Sequence, residues 1–381
     1  MQLQTGTYHG TKGWNAAMPT NLDSPQTLIL AFGAKAYETN PHPFEALADA
    51  FPQSIIAGCS TAGEIAGDCV NDESVSVAYT RFSGTRLRRA HVEVADAGGS
   101  LQAGISLAQQ LSGDDRPCAV LILSDGTCVN GTALVQGLTQ SLPKGTSIFG
   151  GLAGDGSQFS STWVLDGSAP RRNQICAIGF YGNQLRIGHG CDHGWSDFGP
   201  ERRITKSEGN VLHELDGKPA LDLYKTYLGD MAAGLPGNAL LFPLAIRRHP
   251  DDKTPLVRTI LGINEAQKSM TFAGDMPHGA IARLMRANDD SLIGSASSAI
   301  SAATRNVTTE QTALVISVSC VGRRLVLGER TEEEVETILE GAPPGAGHVG
   351  FYSYGEISPA LEGNVSELHN QTMTVTVLTE V

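Results

Sequence analysis

None of the seven cysteines, at 59, 69, 118, 128, 176, 191 and 320, belongs to a CxxC or CxxCH motif. That excludes the usual zinc spacing and covalent c-type haem attachment. An odd, scattered set reads instead as free thiols in a reducing compartment. Long apolar runs are also missing. A membrane-spanning helix needs roughly 18 or more consecutive apolar residues, and no such stretch occurs. The opening residues Met1-Gln2-Leu3-Gln4-Thr5 lack both a basic start and an apolar stretch, so no secretory signal is expected. Together these features predict a cytoplasmic protein. Basic residues are scarce, with 27 Lys and Arg against 40 Asp and Glu and a net charge of −13. An acidic surface repels phosphate backbones and argues against nucleic acid as a partner. Nucleotide motifs are absent too. Gly150 to Gly156 is glycine-rich but has no P-loop lysine, and no GxGxxG follows a strand.

What is present suits a folded protein. The 381 residues are 41% hydrophobic and 18% charged, which supplies a core and exceeds one ordinary domain. Apolar β-rich runs alternate with helical patterns. Thr27 to Gly33 reads as a buried strand, Pro43 to Phe51 as a helix and Ser54 to Gly58 as a second strand. The order returns at Cys118–Leu123, Gly131–Leu142 and Ser147–Gly150, and again at Ala313–Val318, Thr331–Leu339 and His348–Phe351. Such alternation predicts an α/β fold of repeated strand-helix-strand units forming two related mixed sheets.

An internal repeat supports that reading. GCSTAGEI at 58–65 aligns without a gap on GFYSYGEI at 350–357, and each precedes an alternating strand, at 75–79 and 373–377. Gly150 to Gly156 reads as a degenerate third copy, followed by a strand over 175–181. A weaker fourth unit would take strands from 240–244 and 280–285 and a helix from 291–304. The turn signal Leu215 to Pro219 places a boundary near residue 220. The expected division is an N-terminal extension 1–24, a first domain 25–219 and a second domain 220–381.

GCSTAGEI, GGLAGDG, the Gly194-Trp195 pair, VSCVGRR at 318–324, YSYGEISP at 352–359 and LHNQTMTV at 368–375 resemble the FIST sensory family, in family order. The resemblance spans residue 25 to the C-terminus. It implies a ligand-sensing signal-transduction module with FIST N and FIST C halves, not an enzyme. The chain carries no kinase, receiver or cyclase segment. In this it resembles the branch of stand-alone sensors that bind haem and nitric oxide and regulate histidine kinases in two-component signalling. Haem b is the cofactor that resemblance implies, a histidine kinase or other signalling protein the partner, and a homo-oligomer the assembly to consider. A sensor of a small amino-acid-like metabolite is the alternative, and an enzyme with an unrecognised site the second alternative.

Several residues are candidates for the site. Glu64 and Glu356 hold equal positions in the repeat, where each could accept from an amine ligand or from the N–H groups of its own loop. Cys59 lies among small apolar residues with no histidine near it in sequence, which favours a buried inert thiol over a nucleophile. Asp125 and Asn130 follow a strand and precede a helix, where they read equally as a ligand rim or as turn and cap residues. Arg323, next to Arg324, suits an anionic ligand or a glutamate partner. Tyr354 and Asn370 belong to the family-like motifs. Most of the ten histidines, including His348, sit in polar or Pro/Gly-flanked stretches and read as surface. The haem reading turns on an axial imidazole. His189 and His193 lie in a Gly-rich stretch beside Trp195, where Cys191 or Asp192 could join them on a metal ion, and His369 is the third candidate.

Overall fold

Residues 27–33 are buried without interruption, so both faces of this strand must be covered. The computed structural model describes residues 1–381 except 114, 250, 251, 253, 254, 306, 308–310 and 360–364. It places that strand in the first of three units with the same wiring. The first unit comprises β1 (Gln2–His9), β2 (Gly13–Trp14), β3 (Thr27–Ala34), α1 (His42–Ala50), β4 (Ile55–Thr61), β5 (Glu64–Ala66), β6 (Cys69–Asn71) and β7 (Ser74–Arg81). The second comprises β8 (Arg86–Glu93), α2 (Val94–Ala97), α3 (Ser100–Leu111), β9 (Ala119–Ser124), α4 (Gly131–Ser141), β10 (Ser147–Leu152), β11 (Val164–Asp166), β12 (Ala169–Arg171) and β13 (Gln174–Tyr181).

The third unit opens with β14 (Leu185–Asp192) and is then interrupted by an inserted layer. That layer holds β15 (Ser196–Glu208), β16 (Val211–Leu215), β17 (Lys218–Pro219), α5 (Ala220–Leu228), β18 (Leu244–Arg247), β19 (Leu256–Arg258), β20 (Ile260–Asn264), β21 (Ser269–Phe272) and β22 (Ile281–Arg286). The unit resumes with α6 (Asp289–Thr304), β23 (Leu314–Cys320), α7 (Val321–Leu327), α8 (Thr331–Gly341), β24 (Gly347–Ser353), β25 (Gly355–Pro359), β26 (Ser366–His369) and β27 (Met373–Glu380).

Each unit holds one parallel pair, β3 with β4, β9 with β10 and β23 with β24. A third strand runs antiparallel to the first of each pair, and the opening strand of the unit flanks it. The hairpin that follows each parallel pair leaves its own unit. Hairpin β5–β6 adds to β24, β25–β26 adds to β10 and β11–β12 adds to β4. The three units therefore exchange hairpins in a ring, and strands from residues 25–219 and 220–381 share sheets.

The ladders fix the correspondence residue by residue. Ala31, Ile122 and Ser317 lie opposite Gly58, Gly150 and Gly350. A Cβ at these glycines would fall 1.9, 2.0 and 2.0 Å from the facing carbonyl oxygens, so only glycine fits. Just before the third strand of each unit stands a left-handed non-glycine residue, Glu73 at φ 57°, Asn173 at 58° and Gln371 at 62°.

Alternate side chains of the three sheets point to a shared centre. Leu30, Phe32 and Cys59 meet Leu121, Phe149, Ile178, Ile316, Val349 and Phe351 there. The Phe32 and Phe351 rings are 4.7 Å apart between centroids. Intervening residues pack outward under α1, under α3 and α4, or under α6 and α8.

The α/β class and the repeat are thus present, and the degenerate third copy is a full unit. Three related sheets form, with the inserted strands as a fourth layer. The supposed fourth unit is different in kind, because β18 and β22 pair antiparallel and α6 covers the third unit. Residue 220 opens α5 inside the insertion, and residues 1–24 supply β1, which pairs with β7 along its length. No helix among the described residues is long and apolar enough to cross a membrane.

Candidate functional site

In open α/β sheets the carboxyl ends of parallel strands form the natural crevice. At the ends of β3 and β4 lies a cleft of about 600 Å³. Its walls carry the cations Lys35 and Arg172 and the acids Glu38, Glu64, Asp72, Glu73 and Asp155. Lys35 Nζ pairs with Asp155 Oδ2 at 3.0 Å, and Arg172 Nη2 donates to Glu38 Oε2 at 2.9 Å. Arg324, reaching over from the third unit, pairs with Asp72 at 2.7 Å.

Glu64 is held by its own loop. Its Oε1 accepts from the Thr61 hydroxyl, and Oε2 accepts from Ser74 N at 3.0 Å and Ser74 Oγ at 2.8 Å. Burial pushes its carboxyl up to about 7 despite those bonds. Asp155 goes the other way. Burial opposes its charge, but donation from Tyr354, Ser161 N, Ser160 and Lys35 outweighs burial and holds it at about 2. Tyr354 is thereby a bridge from the third unit to the cleft loop, donating to Asp155 and accepting from Asp155 N and Phe159 N at 3.1 Å each.

Glu356 repeats the Glu64 arrangement. It accepts from Ser353 Oγ at 2.6 Å, Thr372 N at 3.1 Å and Thr372 Oγ1 at 2.8 Å, and burial pushes it up to about 7. The other candidates occupy structural positions. The Cys59 thiol is fully buried in the shared centre and pushed well above its ordinary value. Asp125 accepts from Thr127 N at 2.7 Å, Cys128 N at 3.1 Å and Asn173 N at 3.1 Å, closing its own turn. Asn130 caps α4 by accepting from Ala133 N at 3.1 Å. Arg323 is fully buried and joined to Glu334 by two bonds, from Nε at 3.0 Å and Nη2 at 2.5 Å. It also donates to the His193 carbonyl at 2.8 Å. Trp195 Nε1 donates to the Gln371 carbonyl at 3.0 Å.

The histidines do not build a haem slot. His189 lies within β14 with Nε2 2.6 Å from Ser147 Oγ and Nδ1 3.1 Å from Thr376 Oγ1, so no ring nitrogen is left for iron. Burial lowers it to about 4. His193 Nδ1 accepts from Trp195 N at 2.9 Å, and His369 Nε2 donates to the Ser358 carbonyl at 3.1 Å. None of the three lines the cleft. A haem seated in the cleft would therefore find none of these imidazoles within its walls. Among the described residues no group of three or more His, Cys, Asp or Glu could hold a metal ion. His348, expected at the surface, is buried, 2.8 Å from Ser317 Oγ and 2.7 Å from the Gly67 carbonyl.

Sequence reasoning missed Lys35, Glu38 and Arg172. Each sits in polar surroundings that resemble any exposed loop, and only the hairpin exchange brings them together. It also missed Glu334, which looked like part of the solvated acidic first turn of α8.

Three hairpin-exchanging sheets thus carry a charged cleft at the ends of one parallel pair. Residues 27–218 match the FIST N domain and residues 220–359 the FIST C domain, so the chain belongs to the FIST family. FIST domains are signal-transduction sensor domains. A stretch of 84 residues is 33% identical to the uncharacterized protein MJ1623 of Methanocaldococcus jannaschii, over 22% of this chain and 16% of that protein. The chain thus spans about 16% of that relative's length. The structure of PurLQS from Thermotoga maritima aligns over 84% of this chain and 74% of its own at 9% identity, with a TM-score of 0.21 that carries no argument.

Proposed function

We propose that this FIST protein is a signalling sensor that binds a small polar metabolite carrying both an amine and a carboxylate, in the cleft beyond β3 and β4. The observation that carries this reading is the cleft itself, about 600 Å³ of space bounded by five carboxyl groups and two cations. A drug-sized ligand occupies a pocket of this order. Glu73 suits an ammonium, together with Glu38 and Asp72, while Lys35 and Arg172, paired with Asp155 and Glu38, suit a carboxylate that joins those pairs. Haem sensing of nitric oxide is not adopted, because none of His189, His193 and His369 lines this cleft. The partner proposed is a histidine kinase or another signalling protein in the cytoplasm.

Binding couples to the fold because the first and second units build the cleft walls and Arg324 of the third braces the wall residue Asp72. The 155–158 loop belongs to the second, Arg324 to the third and Lys35 to the first. A ligand with unequal affinity for two arrangements of that loop shifts their populations. The test is a melting-temperature screen against L-amino acids. A saturable rise of roughly 2–5 °C is expected for one of them, and it should vanish in Arg172→Ala. No rise with any amino acid would overturn the reading.

A further inference from the structure

The correspondence between units assigns a counterpart to the wall of the open cleft that carries Glu64, Asp72 and Glu73. Ser74 corresponds to Thr372 through their matching bonds to Glu64 and Glu356. Glu73 and Gln371 are therefore equivalent, as their shared left-handed backbone also shows, and Asp72 is equivalent to Asn370. In the first unit these positions line open space. In the third unit the inserted layer lies over them. Gln371 Nε2 donates to the Leu240 carbonyl at 3.0 Å, and Trp195 donates to the Gln371 carbonyl.

This roofed position contains an unusual set of uncommitted groups. Asn370 is fully buried, and neither its Nδ2 nor its Oδ1 has a partner among the described residues. Gln371 Oε1, Thr259 Oγ1 and Thr132 Oγ1 are likewise buried and unpartnered among the described residues. Arg258 brings a cation to the same place. It is 2% exposed, and its hydrogen bonds run to the carbonyls of Leu368 at 3.1 Å, Val257 at 3.2 Å and Asp275 at 3.4 Å. Among the described residues it makes no ion pair with a carboxylate. The Glu367 and Asp275 carboxylates attract the guanidinium from beyond ion-pair distance, and an amide buried without a partner costs stability.

Arg258, Thr132, Leu368 and Asn370 follow one another along a seam. The Arg258 guanidinium and the Thr132 hydroxyl both flank Gly274, where a Cβ would fall 2.8 Å from Arg258 Nε and 3.2 Å from Thr132 Oγ1. The Leu368 carbonyl that takes Arg258 lies two residues before Asn370, and the side chains of Leu368 and Asn370 both border Gly355. Thr132 stands in the first turn of α4, where Asn130 caps the Ala133 N–H and donates to Asp275 at 2.9 Å.

We propose that the seam between the inserted layer and the third unit is a second, enclosed ligand site, taking a small carboxylate that carries a hydrogen-bond donor beside it. Arg258 receives the carboxylate, with Thr132, Thr259 and Asn370 Nδ2 as further donors. Asn370 Oδ1 and Gln371 Oε1 accept from the neighbouring ammonium or hydroxyl. The ligand contacts the inserted layer through Arg258 and Thr259 and the body through Asn370, so binding fastens one to the other. This site is independent of the open cleft, whose Arg172→Ala variant leaves it intact.

Calorimetric titration of the full chain with L-alanine, L-lactate and acetate tests the proposal. L-alanine identifies an ammonium as the second group, L-lactate a hydroxyl, and acetate has neither. The expected result is saturable binding of L-alanine or L-lactate, tighter than acetate, also seen in Arg172→Ala and weakened about 10- to 100-fold in Arg258→Met. Asn370→Leu is the second variant. It removes both orphaned amide atoms, so it should melt no lower than the wild type and also lose binding. The proposal is overturned if neither L-alanine nor L-lactate binds more tightly than acetate, or if both variants bind like the wild type.

Discussion

Glu64 and Glu356 are buried carboxyls held in the same way at equivalent places in two units. One oxygen of each accepts a hydroxyl from the residue three before it, Thr61 or Ser353. The other accepts both the N–H and the hydroxyl of a residue at the start of the third strand, Ser74 at 3.0 and 2.8 Å, or just before it, Thr372 at 3.1 and 2.8 Å. The pair ties each exchanged hairpin back to its own unit.

Both carboxyls are raised to about 7, so each favours the protonated form in the folded state. Their contribution is fully present below the unfolded value and is lost as pH rises through about 7. The loss is bounded at roughly 3 kcal/mol each. The buried histidines His189, His348 and His369, lowered to about 4, act in the opposite sense and lose stability as pH falls from 6.5. Urea melts of Glu64→Gln and Glu356→Gln across pH 5–8 separate the two effects. Each variant should gain relative to the wild type as pH rises, and a pH-independent difference would contradict the assignment.

The three glycines opposite the parallel strands should be equally intolerant. Gly58→Ala, Gly150→Ala and Gly350→Ala each drive a Cβ into a carbonyl oxygen, and each should cost at least about 3 kcal/mol. Gly237→Ala, where nothing lies within 4 Å, is the control and should express normally. Soluble yield and melting temperature of the four variants decide it.

Arg323 and Glu334 are both fully buried and joined side by side. Removing either partner leaves a bare charge in the interior, so Arg323→Ala or Glu334→Ala should cost about 3–5 kcal/mol. Denaturant unfolding measures this. A loss below about 1 kcal/mol would show that the charge finds water.

Cysteine labelling should follow exposure. Cys69 and Cys128 are exposed, while Cys59, Cys176, Cys191 and Cys320 are buried with thiols pushed upward. Iodoacetamide at neutral pH should mark Cys69 first and Cys128 more slowly, since burial and Asp125 push the Cys128 thiol up to about 12, as read by peptide mass spectrometry. Preferential reaction of Cys59 would reveal an activated thiolate that the fold does not provide.

The repeat was legible because glycines facing a neighbouring carbonyl and a carboxyl that caps its own loop are strict local demands, met identically at 58–65 and 350–357. The exchange of hairpins was not legible, since residues 64–71 read the same whichever unit they join. His348 looked exposed because Gly347 and Gly350 flank it, yet those glycines belong to a buried parallel strand. His189 looked like a ligand in a loop but lies in β14, where two hydroxyls take both nitrogens. The inserted layer broke the strand-helix rhythm, so its pairing could not be read from periodicity.

The central claim is that a ligand sits in the cleft beyond β3 and β4. Amide hydrogen exchange with and without the L-amino acid that most raises the melting temperature tests it most directly. The account predicts added protection at residues 34–39, 61–64, 72–73 and 155–158, abolished in Arg172→Ala. Protection that spares all four segments, or is unchanged in that variant, would contradict it.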